Sequence, residues 1–154
     1  MDAISHPDDA IRQRQEWMAI LAKATAEAIE PLWQDVPEKP SWARLRQPET
    51  GMVMVQGRAG GTGQPFNIGE MTVTRCIVRL TTGGTGHAYV AGRNHRHAEL
   101  AAVIDALMQM PERQDEIRRL VIDPLSEVQA AARNRTARRT AATKVDFFTM
   151  VRGD

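Results

Sequence analysis

The chain has 154 residues, 42% of them hydrophobic and 25% charged, with a formal net charge of +1. That is enough for one domain burying roughly 70% of its unfolded surface, and it excludes a global charge attraction to nucleic acid or acidic membranes. A single cysteine, Cys76, excludes an internal disulfide and a cysteine-based zinc site, no run approaches 18 apolar residues, and the acidic opening Met1–Asp9 is unlike a signal peptide. The expectation is a cytoplasmic protein of one domain, residues 1–154, with residues 1–10 flexible.

In the first flank Ile11, Trp17, Met18, Leu21, Ala28, Ile29 and Leu32 recur at helical spacing, with a second start near Thr25 and a stop by Pro31 or Pro37. Ten of the eleven glycines then fall between Gly51 and Gly92. Glycine weakens helices and serves tight turns, so a β-rich centre between two helical flanks is predicted, an α+β plan. The centre reads as a small antiparallel sheet of about four strands. Trp42–Gln47 alternates as a charged edge strand, and Pro48-Glu-Thr-Gly51 has a turn signature that joins it to Met52–Gly57. Met71–Leu80 and Ala88–Val90 complete the set. Met52–Val55 is apolar on both faces, which implies cover on both, by the helical flanks or by a partner protein.

The second flank opens at Asn94, a good N-cap residue, and continues to Gln109 with Leu100, Val103, Ile104, Leu107 and Met108 on one stripe. Pro111 and Pro124 occupy first-turn positions of two further helices, near 112–122 and 125–140. The last carries Arg133, Arg135, Arg138 and Arg139 with no acidic residue between Glu127 and Asp146. A solvated helix face, an acidic partner surface and a phosphate or nucleic-acid site are all open for it, although no aromatic residue interleaves for base stacking.

Gly57-Arg-Ala-Gly-Gly-Thr-Gly63 packs four glycines into seven residues. A phosphate loop needs Lys and Ser/Thr after its last glycine, where Gln64 and Pro65 stand, and a dinucleotide fingerprint needs a third glycine where Phe66 stands. His95 and His97 have H-x-H spacing, but at a helix start such a pair diverges, and a packed His97 is the simpler reading. Cys76 reads as a small core residue. Glu70, Glu99 and Asp105 carry no local mark of an acid/base pair, and no nucleophile, metal set or cofactor motif is visible. No metal, cofactor, nucleic acid or membrane contact is expected. Phe147, Phe148, Met150 and Val151, followed by Arg152, crowd large apolar side chains into the terminal segment 145–154, which is read as an apolar docking tail.

Five stretches together, Glu49–Gly63, Thr72–Leu80, Gly86–Arg93, His97–Met108 and Val145–Asp154, with Arg14-Gln-Glu-Trp-Met18 before them, resemble the family of the small G subunit of the bacterial carbon-phosphorus lyase system, PhnG. Asn94 stands where that pattern has an acidic cap, Cys76 where it has a small residue, and 31–40 matches poorly. The resemblance implies an accessory subunit that, with H, I and L companions, supports transfer of the ribose triphosphate of ATP to a phosphonate with release of adenine. In that family I carries the nucleosidase-like chemistry, and G, H, I and J form a two-fold core. It implies direct contact with the I subunit and a loop, with Arg58, Gly60, Gly61 and Gly63, that borders the partner's nucleotide pocket, while the two-sided apolar strand Met52–Val55 leads to an expectation of self-association when the companions are missing. The rival class is a free-standing module binding a small anion or nucleotide through Arg58, Arg75, Arg79 and the loop amides.

Overall fold

A computed structural model describes residues 7–143. Two helices, α1 (Pro7–Lys23) and α2 (Ala26–Gln34), lead into three strands, β1 (Trp42–Arg58), β2 (Pro65–Leu80) and β3 (Thr85–Ala91); α3 (His95–Met108), α4 (Pro111–Ile117) and α5 (Asp123–Ala142) follow, with a π-helical turn at Arg118–Ile122 between the last two. The Thr25 hydroxyl caps α2 by accepting from the Ala28 amide, and the Asn94 carboxamide caps α3 by accepting from His97. Each satisfies an amide that the first helical turn leaves without a partner. Pro31 lies inside α2, which runs on to Gln34.

The architecture is α+β, with an antiparallel sheet of order β1-β2-β3. The expected strand count is corrected from about four to three, because Pro48–Gly51 makes no turn. Thr50 and Gly51 instead pair with Thr74 and Val73, and Trp42–Arg58 is one strand whose register shifts between Arg44 and Arg46 and again between Arg46 and Glu49. A proline is tolerated on an edge strand at such irregularities, since no ladder hydrogen bond is asked of it there. The shifts also decide which way side chains point. Trp42 and Arg44 pair with Leu80 and Val78 and reach α3, while Arg46 and Glu49 come out beside Arg75 on the opposite face.

The helices cover one face of the sheet. Thr74, Cys76, Val78 and Leu80 of β2 and Ala88 and Val90 of β3 are buried beneath α3, whose residues His97–Met108 are all buried. The stripe expected on α3 is therefore a helix buried all round, between the sheet on one side and α1, α2 and α4 on the other. Close approach to the sheet depends on Gly86 and on Ala102 and Ala106. A β-carbon at Gly86 would lie 1.9 Å from the Ala102 carbonyl oxygen and 2.6 Å from the Ala106 nitrogen.

Candidate functional site

The strands of the sheet have unequal lengths, and that difference makes its main surface feature. β3 pairs only with Val73–Arg79, so beyond Met52 and Thr72 the β1–β2 pair continues alone to Arg58 and Pro65. About seven residues per strand at ~3.3 Å each carry this arm more than 20 Å past the three-stranded sheet. Val53, Phe66, Ile68 and Met71 share one side of it. Val53 pairs with Met71, and a β-carbon on Gly57 would strike Ile68 and approach Phe66. Met52 and Met54 take the other side. All six are exposed, Met52 by 67% and Ile68 by 64%. The cover expected for Met52–Val55 is thus absent from the chain's own helices. A lone two-stranded ribbon is at best marginally stable in water, and open edges with apolar faces are what interfaces use.

The glycine-rich stretch forms the tip of this arm. Gly60 and Gly61 have φ of 60° and 81°, the left-handed region that glycine enters without penalty, and the short 3₁₀ turn Ala59–Gly61 reverses the chain. Arg58 donates from Nη1 to the Gly63 carbonyl at 3.0 Å. Arg58, Gly60, Gly61 and Gly63 therefore lie together at the far end of the ribbon. Arg75 lies elsewhere: Arg58 pairs with Pro65, ten residues away along β2, so about 30 Å separates them. Arg75 is held by Glu49 in a short ion pair, and Arg79 sits one strand end further on. Arg58, Arg75 and Arg79 cannot grip one small anion.

Two carboxylates inside the body organise it. Asp105 of α3 is fully buried and accepts from Arg14 Nε and Nη2 at 3.2 and 2.8 Å, Trp17 Nε1 at 2.9 Å and the His87 amide at 2.9 Å, tying α1 and β3 to α3. Gln109 adds a bond at 3.3 Å, and Arg14 also meets His87 Nδ1 at 3.2 Å. Glu99, two turns earlier, accepts Trp42 Nε1 at 2.8 Å and both Nε and Nη2 of Arg44 at 2.8 and 2.9 Å. The Arg44 guanidinium holds the Glu99 carboxyl below its ordinary value, against the opposing effect of burial. On the open face, Arg46 and then Arg75 do the same to Glu49. Among the described residues no buried side-chain nitrogen or oxygen lacks a partner. These carboxylates are engaged as structural clamps, and neither opens onto a second carboxylate that would make an acid/base pair.

The histidines part company: His95 Nε2 lies 3.3 Å from the Thr50 hydroxyl, whereas His97 is buried with Nε2 2.8 Å from the Leu21 carbonyl oxygen. Cys76 is fully buried, and burial pushes its thiol up to about 11. No cluster of three His, Cys, Asp or Glu side chains suited to a metal occurs among the described residues, and no helix among them is long and apolar enough to cross a membrane. The tail residues Phe147, Phe148, Met150, Val151 and Arg152 lie outside the described residues. Sequence reasoning missed the Asp105 and Glu99 clusters and the exposed Phe66 and Ile68. The latter had a signal, an every-second-residue apolar pattern after Pro65 that marks a strand start.

A small α+β body that spends its buried polar groups on its own packing, while holding out an apolar strand pair, is built like a subunit of a larger assembly. The comparison with known proteins narrows this. The family described as "Phosphonate metabolism protein PhnG" matches residues 12–153. The chain is 46% identical over 155 residues to the "Alpha-D-ribose 1-methylphosphonate 5-triphosphate synthase subunit PhnG" of Rhizobium meliloti (strain 1021), covering 100% of this chain and 99% of that relative. The chain belongs to the PhnG family of phosphonate metabolism proteins.

Proposed function

We propose that this chain is an accessory subunit of a cytoplasmic alpha-D-ribose 1-methylphosphonate 5-triphosphate synthase of phosphonate catabolism. The reaction moves the ribose triphosphate of ATP to a phosphonate. The bond between adenine and ribose C1 breaks, a phosphonate oxygen bonds to C1, and adenine departs with a proton. The chemistry belongs to a companion, with the I subunit as the direct neighbour and H, J and L as further members of the assembly. This chain contributes contact surface and position.

The observation that carries this reading is the β1–β2 arm, which offers Met52, Val53, Met54, Phe66, Ile68 and Met71 to solvent beyond the reach of its own helices. Buried against a companion, such a surface stabilises the assembly at roughly 25 cal/mol per Å² of apolar area. Its tip would then bring Arg58, Gly60, Gly61 and Gly63 to the rim of the companion's nucleotide pocket. The terminal segment with Phe147, Phe148, Met150, Val151 and Arg152 is a second docking element. In the absence of companions the arm is the surface through which the chain associates with itself.

The test shortens the arm by joining Met52 directly to Thr72, its partner across the ribbon, through an Asn-Gly turn. We expect a folded chain with a melting temperature near that of the full-length protein. It should no longer co-purify with the companion subunits, and the reconstituted mixture should release no adenine from ATP and methylphosphonate. Unchanged assembly by the shortened chain, or adenine released by the isolated full-length chain, would refute the proposal.

A further inference from the structure

We infer that the free edge of β3 takes the terminal segment 145–151 of a second copy of this chain as a fourth strand, with one phenylalanine ring seated in the cavity between α1 and β3. β3 is the outer strand on its side of the sheet. The His87 amide and the Thr85 carbonyl point away from β2, the first donating to Asp105 and the second accepting from Gln109. Backbone groups alternate in direction along an antiparallel strand, so the N–H and C=O groups of Tyr89 and Ala91 point the same way. Among the described residues those groups have no partner. Beside this edge Met18, Leu21, Ala22, Ala88, Val90 and Ala101 line an apolar cavity of about 240 Å³. On the other face of the sheet the Tyr89 ring lies open, 55% exposed. A strand added here presents successive side chains to the cavity and to Tyr89 in turn, so the edge suits an extended peptide with two large apolar residues in succession.

The chain carries such a peptide. Val-Asp-Phe-Phe-Thr-Met-Val at 145–151 is rich in strand formers, contains no glycine or proline, and sets Phe147 next to Phe148. Reach favours the groove of a second copy over the chain's own. Gln129 donates from Nε2 to the Ile20 carbonyl at 2.8 Å, which fixes α5 beside the cavity, but residues 131–143 are all exposed, so the helix then leaves the body. Thr143 stands about 21 Å further along it at ~1.5 Å per residue. Phe147 and Phe148 follow by four and five residues, a return of at most about 13 and 17 Å at ~3.3 Å each. A second copy meets no such limit, and two copies related by a two-fold axis fill two grooves reciprocally. Four phenylalanines burying about 150–250 Å² each, with a matching area of groove, remove about 1,200–2,000 Å² in total, the size of a stable interface. Exchange covers groove and rings at once, where a companion's strand would cover only the groove.

This deepens the reading of the terminal segment as a docking element without resting on the synthase role, because the test uses the full-length chain by itself. Phe147→Ala with Phe148→Ala removes the rings, and Ala22→Phe fills the cavity from its wall. In sedimentation each change should weaken self-association at least about tenfold while the melting temperature stays near that of the unaltered chain. An equimolar mixture of the two should recover association as mixed pairs, the Ala22→Phe chain supplying rings and the double-alanine chain supplying an open groove. A synthetic peptide of residues 144–154 should bind the double-alanine chain saturably, and the same peptide with both phenylalanines replaced by alanine should not; this measurement stands even if Ala22→Phe fails to fold. The inference is overturned by a monomeric unaltered chain, by self-association unchanged in the double-alanine chain, by a mixture no more associated than its components, or by a peptide that does not bind. With self-association unchanged, a lowered melting temperature of the double-alanine chain assigns the groove to the tail of the same copy, and loss of companion binding by the Ala22→Phe chain assigns it to a companion.

Discussion

Replacing Asp105 by alanine removes the acceptor that joins α1, β3 and α3. The carboxylate is fully buried, and its loss leaves the Trp17 indole N–H and the His87 amide without partners inside the protein. Each stranded donor costs about 1–3 kcal/mol, and unpairing a buried charge costs about 3–5 kcal/mol in total, with overlap between the two figures. Arg14 is about one-third exposed, so water takes up part of its charge. The net expectation is about 3–4 kcal/mol. For a chain of this size each kcal/mol lowers the melting temperature by about 2–4 °C, which gives a loss of about 6–16 °C. Thermal unfolding followed by far-ultraviolet circular dichroism measures this directly. Asp105→Asn should fall between the two, because its carbonyl still accepts from Trp17 while its amide opposes Arg14. An alanine variant melting within about 2 °C of the parent would refute the view that this carboxylate clamps the fold.

The Glu99 cluster predicts a pH dependence. Its carboxyl is held below its ordinary value, so its contribution is complete above the unfolded-state pKa and is lost as pH falls through the folded one. The stability gap between the parent and Glu99→Gln, about 1–2 kcal/mol at pH 7 by denaturant titration, should stay flat down to about pH 5 and close in more acid solution. Gly86→Ala should lower the melting temperature by several degrees, and Ala106→Gly should not rescue it, because the Ala102 carbonyl oxygen still blocks the new β-carbon. Cys76, buried and with its thiol raised to about 11, should resist a thiol reagent at pH 8 for as long as the chain stays folded and react fully in denaturant.

What the sequence made legible was local. Asn94 caps α3, Thr25 starts α2, and Pro111 and Pro124 sit in first turns, because capping and proline geometry involve residues three or four apart. The glycine-dense centre did mark the sheet. Errors arose where two local solutions compete. Pro48-Glu-Thr-Gly51 suits a turn as well as a bulged edge strand, and only pairing with the distant residues Thr74 and Val73 decides it. The two-sided apolar pattern of Met52–Val55 implies cover by the helical flanks or by a partner, and the structure removes only the first, leaving these residues in water, a conflict between pattern and environment typical of functional surface. Asp105 and Arg14 lie 91 positions apart, and no periodicity in one chain announces such a pair.

The division of labour in the fold follows from where its core ends. The buried cluster draws on Trp17 to Val36, Cys76 to Val90 and Ala98 to Leu125, and includes no residue of the arm between Val53 and Met71 and none of the free helix from Ala131 to Thr143. Both extensions are therefore absent from the interactions that hold the body together. Substitutions there are expected to have little effect on melting. Substitutions at Asp105, Glu99 or Gly86 act through the body first and through assembly only when the body fails. A chain organised this way needs no reactive side chain of its own to be indispensable to a reaction.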